Sequence, residues 1–304
     1  MSLENHPLPL SSPREKEFAE PLKQAQADHS RRFRNFTYVY PVISRRAGGV
    51  SVGINLNIDK LCNFNCAYCQ VDRSISFPPL PVDLNLLERE LSTLLEHYSS
   101  GEWENAPLFP DLPLSAQQLK DLCISGDGEA TMLPILPTVL RLMLTLQQKH
   151  SSLSFKMVLI TNGTGLGRSD VCDALNAYTA VGGELWIKLD AGTPDYYQRI
   201  NDSKHSFEKM MELIRNTAAR YPIKLQSMFC SIEGEAPTEE EIAARIDRFE
   251  EVELAGAGNL QEIQLYSLAR PSANLRCTAL SSAEMERIAE MVEEKLPWTE
   301  VKIY

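Results

Sequence analysis

Long apolar runs are missing from this sequence. None of its 304 residues lies in a stretch approaching the roughly 18–20 needed to span a bilayer. The opening segment, Met1 to Lys23, is polar and rich in Pro and Glu, without the apolar heart of a secretory signal. Positive charge is also short: 30 Lys and Arg stand against 41 Asp and Glu, a net charge of -11. That balance argues against a long electrostatic groove for duplex nucleic acid. One local basic patch, Arg31, Arg32, Arg34, Arg45 and Arg46, reads as solvated or self-paired surface. Histidine is scarce, and neither His150 nor His205 has a partner at metal-ligand spacing. Repeats and low-complexity tracts are lacking. These features describe a cytoplasmic chain with no membrane partner.

Seven cysteines are present, an odd number in a chain without a secretory signal, which argues against a disulfide framework. Their distribution is uneven. Cys62, Cys66 and Cys69 crowd into eight residues, whereas Cys123, Cys172, Cys230 and Cys277 lie far apart. Without C-x2-C spacing, Cys230 and Cys277 are most simply unligated thiols.

The chain alternates two hydrophobic periods. Residues 1–30 form an expected flexible leader, and 31–304 a single domain. Gly49–Asn57 has the alternating, β-branched look of a strand. Asp83 stands as an N-cap before a helix whose stripe is Leu84, Leu87, Leu91, Leu94, Leu95 and Tyr98. Ser99–Leu114 is a long Pro-rich loop with no readable role. Strands are then expected at Leu122–Ser125, Phe155–Thr161, Glu184–Asp190, Ile223–Ile232 and Gln261–Leu268. The helices between and after them are Pro134–Lys149, Ser169–Val181 capped by Ser169, Phe207–Arg220, Glu239–Leu254 and Ala283–Leu296. Glu300–Tyr304 ends the chain as a short strand.

Six strand–helix units in succession imply an α/β fold with parallel strands and outer helices. A closed barrel needs eight such units, so an open, partial (β/α)6 barrel of TIM type, with a short C-terminal strand, accounts best for the pattern. A flat doubly wound sheet is the alternative.

The segment Asp59–Arg73 reads DKLCNFNCAYCQVDR, so the cysteine triple directly follows the first strand. Three thiolates this close can converge on one inorganic centre, and soft sulfur selects zinc or iron–sulfur. Structural zinc wants four ligands, and the closest further candidate is His97 on a helix flank. Three protein ligands leave one metal position for a substrate or cofactor.

C-x3-C-x-aromatic-C, with Tyr68 as the aromatic, resembles the signature of the radical S-adenosylmethionine (radical SAM) superfamily. The resemblance implies that Cys62, Cys66 and Cys69 hold three irons of a [4Fe–4S] cluster, with SAM chelating the fourth iron. It also implies reductive cleavage of SAM to a 5′-deoxyadenosyl radical that abstracts a substrate hydrogen. The electron would come from a flavodoxin- or ferredoxin-type donor, and the family fold is a partial (β/α)6 barrel.

Other residues belong at strand C-termini, where barrel active sites lie. Gly126, Asp127, Gly128 and Glu129 resemble the family's Gly-Gly-Glu motif for the SAM amino group; the glycines permit close approach and Glu129 is an acceptor for an ammonium. Asn162 sits in a Thr-Asn-Gly-Thr turn after the third strand. Lys188 and Asp190 alternate with Leu185, Ile187 and Leu189 and should face a polar interior, because such buried charges need a partner or a ligand. The segment that follows Lys188 resembles the family region that holds the SAM ribose and carboxylate, and Tyr68 is expected near the adenine. Gln226, Gln264 and Tyr266 on the last strands, and Arg270 on a loop over the mouth, are candidate substrate contacts.

Residues Pro41–Asn55 together with DKLCNFNCAYCQ are similar to a stand-alone branch described as wyosine-synthetase-like Fe–S oxidoreductases, in outline from Tyr38 to Ala273. Wyosine synthetases carry a further cluster on upstream cysteines, and no cysteine precedes Cys62. The expectation is a radical SAM enzyme of unassigned substrate. The alternatives are a tRNA-modifying radical SAM enzyme, a glycyl-radical activase acting on a partner protein, and a structural or electron-transfer metal protein.

Overall fold

The computed structural model describes residues 20–26, 31–74 and 77–304. Of the expected leader, all but 20–26 lies outside the described residues.

Eight strands form one sheet. They are β1 (Val39–Ser44), β2 (Gly49–Ile54), β3 (Leu119–Ile124), β4 (Lys156–Thr161), β5 (Glu184–Lys188), β6 (Ile223–Met228), β8 (Leu260–Tyr266) and β10 (Glu300–Ile303), in that spatial order. Every neighbouring pair from β2 to β10 is parallel, and only β1 runs antiparallel, against β2. This is the open partial barrel that the alternation implied. Its terminal strand serves as a seventh parallel member, in register with β8 from Glu300↔Glu262 to Ile303↔Leu265. The edges, β1 and β10, do not pair with each other. Among the described residues no strand closes this side, which leaves a lateral seam between β1 and β10.

The strands separate two environments, as period-2 alternation requires. Val50, Val52, Ile54, Leu122, Ile124, Leu159, Ile187, Leu225, Ile263 and Leu265 point outward and are buried beneath the helices in the main core. Each such side chain removed from water is worth about 1.5–3 kcal/mol. The other face carries Cys123, Val158 and Trp186, a small apolar cluster separate from that core, and most of the sheet's polar groups.

The helices follow their sequence signals. In α1 (Leu84–Ser99) the Asp83 carboxylate accepts from the Leu86 N–H, and Leu87, Leu91, Leu94, Leu95 and Tyr98 form the buried stripe. Glu90 on the same helix is buried, and its carboxylate accepts the backbone N–H groups of Thr37, Tyr38 and Val39 at 2.6, 2.9 and 3.1 Å. A charge on the helix thereby fixes where β1 begins. Next come α2 (Leu136–Lys149), α3 (Ser169–Ala180), α4 (Pro194–Asn201), α5 (Phe207–Ala218), α6 (Glu239–Gly256) and α7 (Ser282–Lys295).

Two local expectations are corrected. Ser169 is the first residue of α3 and Arg168 its N-cap, with no side-chain capping bond. The strand expected over Ile223–Ile232 breaks at Phe229. Its second part, β7 (Cys230–Ile232), pairs antiparallel with β9 (Cys277–Ala279) in a separate ribbon. The cause is local: the Met228 N–H turns to the Asp190 carboxylate (2.9 Å) and the Phe229 N–H to the Tyr266 carbonyl (2.9 Å). Helix α4, capped by Thr193 on the Tyr196 N–H, occupies a segment for which the sequence pattern suggested no element.

Candidate active site at the cysteine loop

The loop that leaves β2 is held by its backbone. Asn65 and Ala67 N–H groups donate to the carbonyls of Asn201 (3.0 Å) and Ile200 (2.8 Å) at the end of α4. On the other side the Ala273 N–H donates to the Cys69 carbonyl (2.8 Å). Asp59 ties the loop's base, accepting from Leu61 N–H at 3.0 Å and Leu80 N–H at 3.3 Å. So fixed, Cys62, Cys66 and Cys69 all line one interior cavity of ≈ 360 Å³, together with Tyr68, Glu129, Asn162, Lys188 and Tyr266. Cys62 also borders a wider outer groove of ≈ 1060 Å³ beside α4.

All three cysteines are free and half-buried. Burial pushes the Cys66 thiol up to about 12 and raises that of Cys62. Metal binding would have to take these groups as thiolates, and binding would release protons. Two donors already face sulfur: the Asn201 Nδ2–H₂ lies 3.4 Å from Cys66 Sγ and an Arg73 guanidinium nitrogen 3.6 Å from Cys69 Sγ. Among the described residues, no three His, Cys, Asp or Glu side chains close on a point as a single ion would need. Zinc at about 2.3 Å from each sulfur would hold thiolates about 4 Å apart. The three thiols open into one cavity, a soft all-sulfur donor set of the kind that zinc or an iron–sulfur centre takes.

Glu129 is the strongest acceptor in the cavity. Its Oε1 accepts from the Thr131 N–H (3.0 Å) and from the hydroxyls of Thr131 and Thr161 (both 2.5 Å), and its Oε2 from the Asn162 N–H (2.7 Å). A carboxylate has about four lone-pair sites, so Oε2 keeps one for a ligand. Among the described residues no cation forms an ion pair with it.

The two glycines beside it serve the protein first. A Cβ on Gly126 would collide with the Asn55 side chain, and one on Gly128 with the Leu61 carbonyl. Their bareness lets the turn dock onto the cysteine loop. Asp127 points elsewhere: it does not line the cavity, forms an ion pair with Arg31, and accepts from Asn55 Nδ2 at 2.8 Å. Arg73 completes the join by donating to the carbonyls of Lys60 and Asp127, both at 2.6 Å.

Lys188 and Asp190 meet in one network. The Lys188 ammonium donates to the hydroxyls of Tyr68 (3.2 Å) and Tyr266 (3.0 Å) and lies over both rings, at 4.9 and 5.7 Å from their centroids. Burial alone would lower its basicity, but Tyr266, Asp190 and Cys66 more than reverse that, so it stays protonated. Asp190 is engaged on both oxygens. It accepts from Tyr68 Oη (2.5 Å), Asn201 Nδ2 (3.1 Å) and the Met228 N–H (2.9 Å), and it does not line the cavity. Burial, then Asp190, holds the Tyr68 phenol well above its usual range, so it too keeps its proton.

Of the other expected contacts, Gln226, Tyr266 and Arg270 line the cavity, whereas Gln264 does not. Gln226 donates to Gln264 (2.8 Å), which donates to Glu262 (2.6 Å). Cys230 and Cys277 lie in the outer ribbon, away from the triple. Asn162 faces the cavity, its Nδ2 bonded to Asn63 Oδ1 at 2.9 Å. Sequence reasoning missed Arg73, Asn201 and Asn55. The first stands four residues after Cys69 in the quoted segment, and only that proximity could have flagged it. Arg245 was missed as well. Fully buried, it donates to the Met228 carbonyl (2.7 Å) and to Glu241 (3.2 Å), whose other donors are Gly192 N–H and Thr193 Oγ, and so locks the ends of β5 and β6 together.

Comparison with known proteins adds independent findings. The family model for the Radical SAM superfamily matches residues 56–246. Among curated proteins, a GTPase Obg from Brachyspira hyodysenteriae (strain ATCC 49526 / WA1) is 24% identical over 288 residues, covering 91% of this chain and 36% of that one. The chain thus spans about a third of the length of that relative. Among solved structures, TYW1 with a lysine-pyruvate adduct bound superposes with a TM-score of 0.54 at 18% identity, over 80% of this chain and 73% of that one. Archaeal TYW1 gives a TM-score of 0.47 at 15% identity, over 81% and 72%. At such identity the TYW1 likeness is one of fold.

Proposed function

Because this chain belongs to the radical SAM superfamily, we propose that it binds a [4Fe–4S] cluster and SAM in the cavity beneath the cysteine loop and abstracts hydrogen from a bound substrate. The reading rests on one observation above all: Cys62, Cys66 and Cys69 open into the same cavity as Glu129 and Lys188. The three thiolates would hold the cluster and leave one iron free for SAM. A cluster bound there would pass an electron from a flavodoxin- or ferredoxin-type donor to SAM for its reductive cleavage.

The protein's own part is binding, orientation and exclusion of water. The open lone pair of Glu129 Oε2 accepts from the SAM ammonium, at a carboxylate already fixed by four donors. Tyr68 packs near the adenine, its ring held between Asp190 and Lys188. The Lys188 ammonium, whose present partners are neutral phenols, offers its charge to a carboxylate of SAM or substrate. Asp190 acts on the site only through Tyr68 and Asn201.

The test is anaerobic reconstitution with iron and sulfide, then dithionite and SAM, with 5′-deoxyadenosine measured by mass spectrometry beside a Cys62→Ala/Cys66→Ala/Cys69→Ala variant. The expected result is cluster-dependent 5′-deoxyadenosine, absent from the variant. Loading of zinc alone, or a cluster that neither binds nor cleaves SAM, overturns the proposal.

A further inference from the structure

The cavity has the opposite electrical character to the chain around it. The chain is acidic, with a net charge of -11, yet the lining side chains include Arg31, Arg45, Arg46, Arg73, Lys188 and Arg270 against a single carboxylate, that of Glu129. SAM brings one carboxylate and two positive charges of its own, and the three thiolates lie at the cysteine end, so neither neutralises the arginines at the other end of the cavity.

The lining cations differ in what already occupies them. Arg31 is paired with Asp127, Arg73 with two carbonyls, and Lys188 with two phenols. Arg45 and Arg46 are otherwise. Both sit on the exposed turn between β1 and β2, and neither makes an ion pair or hydrogen bond among the described residues. Arg46 rests with its guanidinium 5.4 Å from the centroid of Trp186, and the carboxyl within its electrostatic reach is Asp121, buried and already bonded to Ser51. Two adjacent guanidinium forks, one backed by an aromatic face, suit bidentate capture of an oxyanion.

Their position adds a length requirement. The turn lies at the N-terminal end of β2 and the cysteine loop at its C-terminal end, a strand of six residues apart, or about 20 Å at ~3.3 Å per residue. Val42, Ser44 and Tyr304 line the cavity between them, along the open seam. We propose that Arg45 and Arg46 form a subsite for a phosphate or carboxylate at the distal end of an elongated, small organic substrate, whose reacting carbon lies under the cysteine loop. The inference rests on the radical SAM reading only for which end reacts.

The test uses the full chain, with and without reconstituted cluster. Inorganic phosphate and succinate are each titrated at constant ionic strength, so that screening does not mimic binding, with calorimetry and Trp186 emission as readouts. Saturable binding of either anion is expected, phosphate marking an organic phosphate substrate and succinate a carboxylate. The dissociation constant should rise at least tenfold in Arg45→Gln/Arg46→Gln, rise less in Arg45→Lys/Arg46→Lys, and stay unchanged in Arg34→Gln. The emission change should vanish in Trp186→Phe while calorimetric binding persists. Absence of binding by both anions, equal binding by the Gln double variant, or arginine-dependent binding of tRNA alone would overturn the inference. Anion binding is read without SAM turnover, so anion capture in a protein that fails to form 5′-deoxyadenosine leaves this inference standing and removes the cofactor reading. Turnover without anion capture does the reverse.

Discussion

The two ends of the barrel interior handle buried charge in different ways. At the N-terminal end, opposite charges meet directly. Lys224 sits 3.1 Å from Glu184 and 3.4 Å from Glu262; Lys302 lies 2.9 Å from Glu262, and Lys156 2.9 Å from Glu184. Although burial works against their charge, these lysines hold both Glu184 and Glu262 below the usual carboxylate range. At the C-terminal end, Lys188 faces phenols, and Glu129 faces hydroxyls and N–H groups. One layer is closed on itself and supports the sheet. The other keeps charges stabilised but not neutralised, the condition in which an incoming ion gains most.

Three changes test that contrast. The largest effect belongs to the closed layer. Glu262→Gln removes the carboxylate shared by Lys224 and Lys302, which keep Glu184 and Glu300 respectively, and should destabilise by up to about 3 kcal/mol, the cost of leaving buried donors short of an acceptor. Denaturant titration measures it, and a loss below about 1 kcal/mol would mean that the layer is better hydrated than its burial implies. Next is Asp121, whose carboxyl burial raises to about 6 against the hydrogen bond from Ser51 and the charge of Arg46. The folded protein then holds a proton that the unfolded chain has released, so this group's contribution to stability falls as pH rises from about 4 to 6. Asp121→Asn should gain on the wild type across that window, by on the order of 2–3 kcal/mol. A difference that does not vary with pH would refute this. The smallest expected change is in the open layer. Lys188→Met should cost about tenfold in 5′-deoxyadenosine formation while shifting the unfolding midpoint little. A large stability loss would instead place Lys188 with the structural pairs.

The same contrast decides what was legible. Alternation in Leu185–Asp190 is a property of the strand itself, so the outward leucines and inward Lys188 follow from period 2. The order of parallel strands follows from strand–helix succession. What a side chain meets across the barrel does not. Asn201 reaches Cys66 across 135 positions of sequence, and Asn55 reaches Asp127 across 72. Asp190 was expected in the cavity on parity alone, but the chain turns after Lys188 and sends its carboxylate to Tyr68, Asn201 and Met228. Strand β1 was hidden for another reason. Pro41 interrupts its pattern, and a proline is tolerated there because β1 is an edge strand.

The seam between β1 and β10 bears on how the cavity moves. Around most of the barrel the wall is a hydrogen-bonded ladder, and widening it means breaking backbone bonds together. Along the seam the boundary is drawn by the side chains of Val42, Ser44 and Tyr304. Rotamers turn in picoseconds to nanoseconds, whereas collective backbone motions take microseconds to milliseconds. That side of the cavity can therefore breathe to admit a long guest without disturbing the strand that carries the cysteines.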